Sequence, residues 1–87
     1  MKQAKKIPIL AVAASLSPPQ RKSANRQIDF LLNEFPGKRI IDLLPVIRSR
    51  YPETVLSVAI ERVERRQDAL PIDDQVFFAK FMQSLNN

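Results

Sequence analysis

The chain has 87 residues, a formal net charge of +5 from 14 Lys and Arg against 9 Asp and Glu, and neither cysteine nor histidine. This length suits one domain, or one domain with an arm, and no disulfide framework or cysteine zinc site can supplement its core. Histidine is absent and glycine occurs once. The usual general bases, the commonest metal ligands and a glycine-rich phosphate loop are therefore missing, so we expect no enzymatic activity, cofactor or metal.

The excess of basic side chains favours an acidic partner. Nucleic acid is the first candidate, an anionic membrane surface the second and an acidic protein the third. The alternative is a soluble basic domain whose charge serves only solubility. No apolar run approaches the roughly 18 residues that a membrane span requires. We therefore expect a cytoplasmic protein without a membrane partner.

Residues 1–17 are predicted to form an extended N-terminal arm. Three lysines precede the apolar run at residues 7–16, an order that resembles a secretory signal. The small residues of a cleavage site lie inside this run instead of after it, so we expect no cleavage. Pro8 argues against an uninterrupted helix. The arm is either an extended segment that packs its apolar side chains on the body or on another subunit, or a flexible basic tail that contacts phosphates. Its apolar content favours packing.

Residues 18–87 are predicted to form an all-α domain of three to four helices. Ser17 can cap the first helix, Pro18 suits its first position, and Gln20 completes a capping box. An apolar stripe with helical spacing follows, and Pro36-Gly37 ends the helix. The stripe comprises Ala24, Ile28, Leu31, Leu32 and Phe35, and we expect Arg21, Lys22 and Arg26 to lie in solvent.

Proline positions set the limits of the next helix. A proline deep in a helix costs about 3 kcal/mol, so we place Pro45 in the first turn and Asp42 at the N-cap. Tyr51-Pro52 ends this helix, because the residue before a proline is disfavoured in helical geometry. The inward residues are predicted to be Leu43, Leu44, Ile47 and Tyr51, with Arg48 and Arg50 facing outward.

A third helix is predicted to begin at Glu53, whose negative charge is favourable at a helix N-terminus. Its buried stripe consists of Val55, Leu56, Ala59, Ile60 and Val63. The exposed side is then expected to carry Thr54, Ser57, Val58, Glu61, Arg62, Arg65 and Arg66.

Asp73 and Asp74 mark the start of a fourth helix. This helix is apolar over a wide arc, which indicates burial on more than one side. Because its apolar surface exceeds what so small a core can cover, we predict a homodimer. The expected interface residues are Phe77, Phe78, Phe81, Met82 and Leu85.

The order of segments over residues 28–66 is a helix, a Pro-Gly turn, a short apolar segment, a helix, a polar break and an arginine-rich helix. This order resembles the trihelical helix-turn-helix core of winged-helix and related bacterial regulators. The resemblance implies a transcriptional regulator or accessory factor that binds double-stranded DNA, with the third helix in the major groove. A two-fold pair would match half-sites about 34 Å apart. Bases would be contacted by Thr54, Ser57, Val58, Glu61 and Arg62, and phosphates by Lys38, Arg39, Arg48, Arg50, Arg65 and Arg66.

Two other interpretations remain open. Cations stabilise the C-terminal end of a helix, so the three arginines of the third helix do not require a ligand. The chain also suits a small adaptor or inhibitor that binds a protein partner through its aromatic C-terminal helix, with the basic charge steering association. The two functions predict different charge placement. One shared convex basic face would favour DNA, whereas scattered charges would favour the adaptor.

Overall fold

The computed structural model of the chain describes residues 8–86. This part contains five α-helices, one short 3₁₀ helix and no strand. The elements are α1 (Ile9–Ser15), α2 (Pro18–Glu34), α3 (Ile40–Arg50), α4 (Glu53–Glu64), the 3₁₀ helix Gln67–Ala69, and α5 (Ile72–Leu85). The predicted all-α class is confirmed. None of the described helices combines the length and the apolar character needed to cross a bilayer.

Helix α4 lies at the centre of the fold. Helices α1, α2 and α3 each pack against it, and residues 55–60 are all buried. A helix that is buried around its whole circumference belongs to the core. The predicted start at Glu53 and the predicted buried stripe are confirmed, but the helix ends at Glu64, two residues before the predicted end at Arg66.

The expectation that Ser57 and Val58 lie on the exposed side of α4 is wrong. Ser57 has no exposed surface and Val58 is 1% exposed, because α1 and α2 cover the side that α3 leaves open. The Ser57 hydroxyl donates a hydrogen bond to the Thr54 carbonyl at 2.7 Å. Its burial therefore leaves no unsatisfied polar group.

Within the described residues before α2, Ile9–Ser15 is helical where an extended arm was expected. Helix α1 begins directly after Pro8, which occupies the N-cap position. A proline at the start of a helix is tolerated because the first N–H groups have no partner within the helix. The predicted packing is confirmed for the described part, since Ala13 is buried and Ile9 and Leu10 pack against the core. Ile7 and the three N-terminal lysines lie outside the described residues.

The predicted capping box of α2 is confirmed. The Ser17 hydroxyl accepts from the Gln20 N–H at 3.3 Å, and the Ser17 N–H donates to the Gln20 side chain at 2.7 Å. Gly37 adopts φ +88°, the conformation that the turn after the helix requires. The buried stripe does not extend to Phe35, which is 36% exposed. Because α2 ends at Glu34, the Phe35 side chain does not continue the buried stripe of the helix.

Helix α3 begins three residues earlier than predicted, at Ile40 instead of Leu43, and Asp42 is its third residue instead of its N-cap. The Asp42 carboxylate accepts the Arg39 backbone N–H at 2.9 Å. A carboxylate at the third position thus satisfies a free N–H at the helix start and holds the start at Ile40. Pro45 consequently lies inside the helix, beyond the first turn.

Helix α5 uses part of its apolar surface for the chain's own core. Phe78 and Phe81 are buried, and Met82 and Leu85 pack against the same cluster. Phe78 and Phe81, expected in a dimer interface, are thus enclosed by their own chain. Phe77 remains 41% exposed and stacks on Phe81 with 6.3 Å between ring centroids.

Pro45→Ala is expected to stabilise the protein by about 1 to 3 kcal/mol, because alanine restores a backbone N–H for the Ile41 carbonyl. Pro18→Ala is the matched control, since Pro18 is the first residue of α2. Alanine there is expected to lower stability by less than about 1 kcal/mol. Urea unfolding of the wild type and both variants measures the difference. Equal effects of the two substitutions would contradict the account of Pro45.

Candidate functional site

Five of the predicted nucleic-acid-binding residues line one open cleft of about 560 Å³. The cleft lies between the α2–α3 turn, the start of α3 and the C-terminal end of α4. Its cationic residues are Lys38, Arg39, Arg62, Arg65 and Arg66, and its apolar residues are Leu32, Ile40, Ile41, Val63 and Leu70. We refer to this set as the basic cleft.

The other predicted binding residues lie elsewhere. Arg48 contacts α5, where its guanidinium donates to the Ser84 hydroxyl at 2.9 Å and lies 5.8 Å from the centroid of the Phe81 ring. Arg50 is exposed at the end of α3, Thr54 is exposed at the start of α4, and Ser57 is buried. The structure therefore brings together the basic residues of the α2–α3 turn and of the end of α4. The other predicted binding residues lie apart from them.

Within the basic cleft, Arg39 is engaged by two carboxylates. Its guanidinium bonds to Asp42 at 3.0 Å and to Asp74 at 2.6 Å, which joins the start of α3 to α5. The hydrogen bonds that Arg39 donates to Asp42, and then those to Asp74, raise the pKa of Arg39. The same contact with Arg39 lowers the pKa of Asp42. The charge of Arg39 is therefore compensated locally by Asp42 and Asp74.

Arg62 connects α4 to α2. Its guanidinium donates to the Asn25 side chain at 3.2 Å and lies 3.5 Å from an Asp29 oxygen. Asp29 is largely exposed, so this ion pair contributes little to stability. The contacts do, however, fix the direction of the Arg62 side chain beside the cleft.

Three further cations of the cleft are available to a ligand. Within residues 8–86, the side chains of Lys38 and Arg66 form no hydrogen bond or ion pair, and Arg65 has only a 3.8 Å contact with Glu61. All three residues are exposed. We call Lys38, Arg65 and Arg66 the available cations.

Glu61 directly precedes Arg62 in α4, and its charge is compensated from another helix. The Arg21 guanidinium of α2 bonds to both Glu61 oxygens, at 2.7 and 3.0 Å, and also donates to the Ala13 carbonyl at 2.9 Å. The hydrogen bond from Arg21 is the main reason that the pKa of Glu61 is lowered. The pair joins α1, α2 and α4, and it reduces the repulsion that Glu61 would exert on an anion in the cleft.

The expectation that Arg21 lies free in solvent is wrong, and the sequence did contain a signal for its position. Arg21 precedes Ala24, Ile28 and Leu31 by three, seven and ten residues. This spacing places it on the buried stripe of α2. A basic side chain on such a stripe indicates a partner across the helix interface, since buried charges are normally paired.

Acidic side chains do not gather into a metal site in the described part of the chain, where no group of three or more potential ligands was found. Comparison with protein-family models, with curated proteins and with solved structures finds no match. Function is therefore inferred from the geometry of the basic cleft.

Glu61→Gln is expected to flatten the acid side of the stability profile. A carboxyl whose folded pKa lies below its ordinary 4.5 stabilises the fold above that pH, and this stabilisation is lost as the pH falls through the folded pKa. The wild type should exceed the variant in melting temperature near neutral pH, and the difference should shrink in more acidic solution. Glu64→Gln, which changes an exposed carboxylate of the same helix, is the control. Parallel profiles for wild type and Glu61→Gln would contradict the role of the pair.

Proposed function

We propose that the protein binds the phosphate backbone of double-stranded DNA, with the basic cleft as the interface. The observation that carries this proposal is the convergence of five cationic side chains, from two separate parts of the chain, on one cleft. Three nearby carboxylates, those of Glu61, Asp42 and Asp74, are engaged by arginines. The field in the cleft is therefore set largely by the available cations.

Duplex DNA is the anion that suits such a surface best. It carries about one negative charge per 1.7 Å of helix axis, and a protein that neutralises phosphates releases condensed counterions. Lys38, Arg65 and Arg66 can each neutralise a phosphate without breaking a hydrogen bond within the protein. Arg62 adds positive potential at the same position while held by α2.

Binding is expected to depend little on base sequence. The base-reading role implied by the helix-turn-helix resemblance requires an exposed face along the middle of α4, and that face is covered by α1 and α2. Thr54 is exposed, but it lies about 16 Å from Arg65 along the helix axis. Contacts to phosphates position a protein on DNA without reading its sequence. An accessory DNA-binding factor therefore fits the structure better than a sequence-reading regulator.

Replacing Lys38, Arg65 and Arg66 by alanine together is expected to abolish most of the salt-dependent affinity for DNA. Each lost phosphate contact lowers the slope of log affinity against log salt by about 0.9, so the three should lower it by up to about 2.7. Fluorescence anisotropy with a duplex of random sequence, over a series of salt concentrations, measures the slope. Circular dichroism checks that the variant remains folded, which we expect because the three side chains are exposed.

The matched control replaces Lys22, Arg26 and Arg50 by alanine. This set also contains one lysine and two arginines, all exposed, and none of them lines the basic cleft. The control should keep most of the wild-type slope. Equal losses in the two triple variants would show that net charge, and not the cleft, governs binding. Absence of wild-type binding at low salt would overturn the proposed function.

A protein-binding adaptor is the second candidate, and one observation favours it. Helix α5 presents apolar side chains to solvent, with Ile72 71% and Val76 48% exposed. Large exposed apolar side chains that share one surface are typical of protein interaction sites. This face lies outside the basic cleft, so the two functions can be tested separately.

A further inference from the structure

The exposed side of α5 carries apolar and charged residues in a regular order. The opposite side of α5 packs in the core through Phe78 and Phe81. Ile72 and Val76 are four residues apart and lie one above the other, because the α-helix has 3.6 residues per turn. We define the outer α5 face as Ile72, Asp73, Val76, Phe77 and Lys80, of which none is buried.

The two charges of this face are unpaired within the described residues. Asp73 and Lys80 are exposed, and neither forms a hydrogen bond or ion pair within residues 8–86. They are seven residues apart, which is about two helical turns, so they project in nearly the same direction. Val76 and Phe77 lie midway between them. The face therefore has a negative end, an apolar centre and a positive end.

This pattern is complementary to itself in one orientation only. When two copies of α5 cross antiparallel about an axis between Val76 and Phe77, Asp73 of each copy faces Lys80 of the partner subunit. The apolar side chains of the two copies then meet at the centre. A parallel pair would instead place like charges opposite each other. An isologous two-fold contact thus matches opposite charges twice.

We infer that the outer α5 face binds a second copy of this chain as an antiparallel helix pair. The two charge matches select the orientation, and the apolar centre supplies most of the attraction. One face of a 14-residue helix is smaller than the roughly 800 Å² per partner of a standard interface, so the homodimer is weak. This dimer differs from the one expected from the sequence, because its contacts exclude the buried Phe78 and Phe81.

Sedimentation equilibrium without nucleic acid tests the association. Over protein concentrations from about 10 μM to about 1 mM, the weight-average mass should rise from 10.0 kDa towards twice that value. Val76→Glu, which places a charge at the centre of the contact, should keep the mass at that of the monomer. Because Val76 is half exposed, this variant should still melt cooperatively. A wild type that stays monomeric throughout overturns the inference.

Charge-reversal variants test whether the outer α5 face is the contact surface. Asp73→Lys and Lys80→Asp should each raise the dimer dissociation constant about tenfold, since either change turns two attractions into two repulsions. An equimolar mixture of the two variants should associate as well as the wild type, because every facing pair is again opposite in sign. Lys22→Asp, which alters the net charge as Lys80→Asp does but lies on α2, should leave association unchanged. If the charge reversals leave the dissociation constant unchanged, or if mixing the two variants does not restore association, then the chain associates through another surface. Either result overturns the inference.

Discussion

The complete burial of α4 is the constraint on which the rest of this structure depends. A helix whose consecutive residues 55–60 are all buried needs partners on every side, and α1, α2 and α3 supply them. The chain is too short to provide a second layer, so α5 covers only what remains of the core. Only the two ends of α4 reach solvent. Any function of α4 must therefore use its ends, and its C-terminal end is the basic one.

Ion pairs determine which of the charged side chains brought together by this packing remain available to a ligand. Two acids near the basic cleft are matched by arginines of other elements, Glu61 of α4 by Arg21 and Asp74 of α5 by Arg39. These pairs lie at helix junctions and hold neighbouring helices in register. The cations left over are those of the turn after α2 and the last turns of α4. The same contacts that fasten the helices thus leave one part of the surface strongly positive.

Local signals in the sequence were enough for α2, for the start of α4 and for the start of the C-terminal helix near Asp73, but not for α1 or for the contacts between helices. The Ser17 capping box, the Gly37 turn and the start of α4 follow from a few adjacent residues, and all three are confirmed. The burial of Ser57 could not be predicted from local signals, because it depends on α1, which is more than 40 residues away in sequence. The start of α3 was misplaced because the Asp42 carboxylate suits two roles, an N-cap for the residues that follow it or a third-position acceptor for the Arg39 N–H, and the structure uses the second. The five cations of the cleft were predicted from the sequence to contact nucleic acid, but their meeting at one cleft is a tertiary property.

The small size of α1 has a consequence for the dynamics of the fold. Seven residues are too few to form a stable helix alone, since isolated helices shorter than about 12 residues are marginal in water. Helix α1 therefore keeps its shape only while it is docked on α4, and undocking and unfolding are one event. Its amide protons should exchange with solvent through this local opening, faster than those of α4, which are released only by global unfolding.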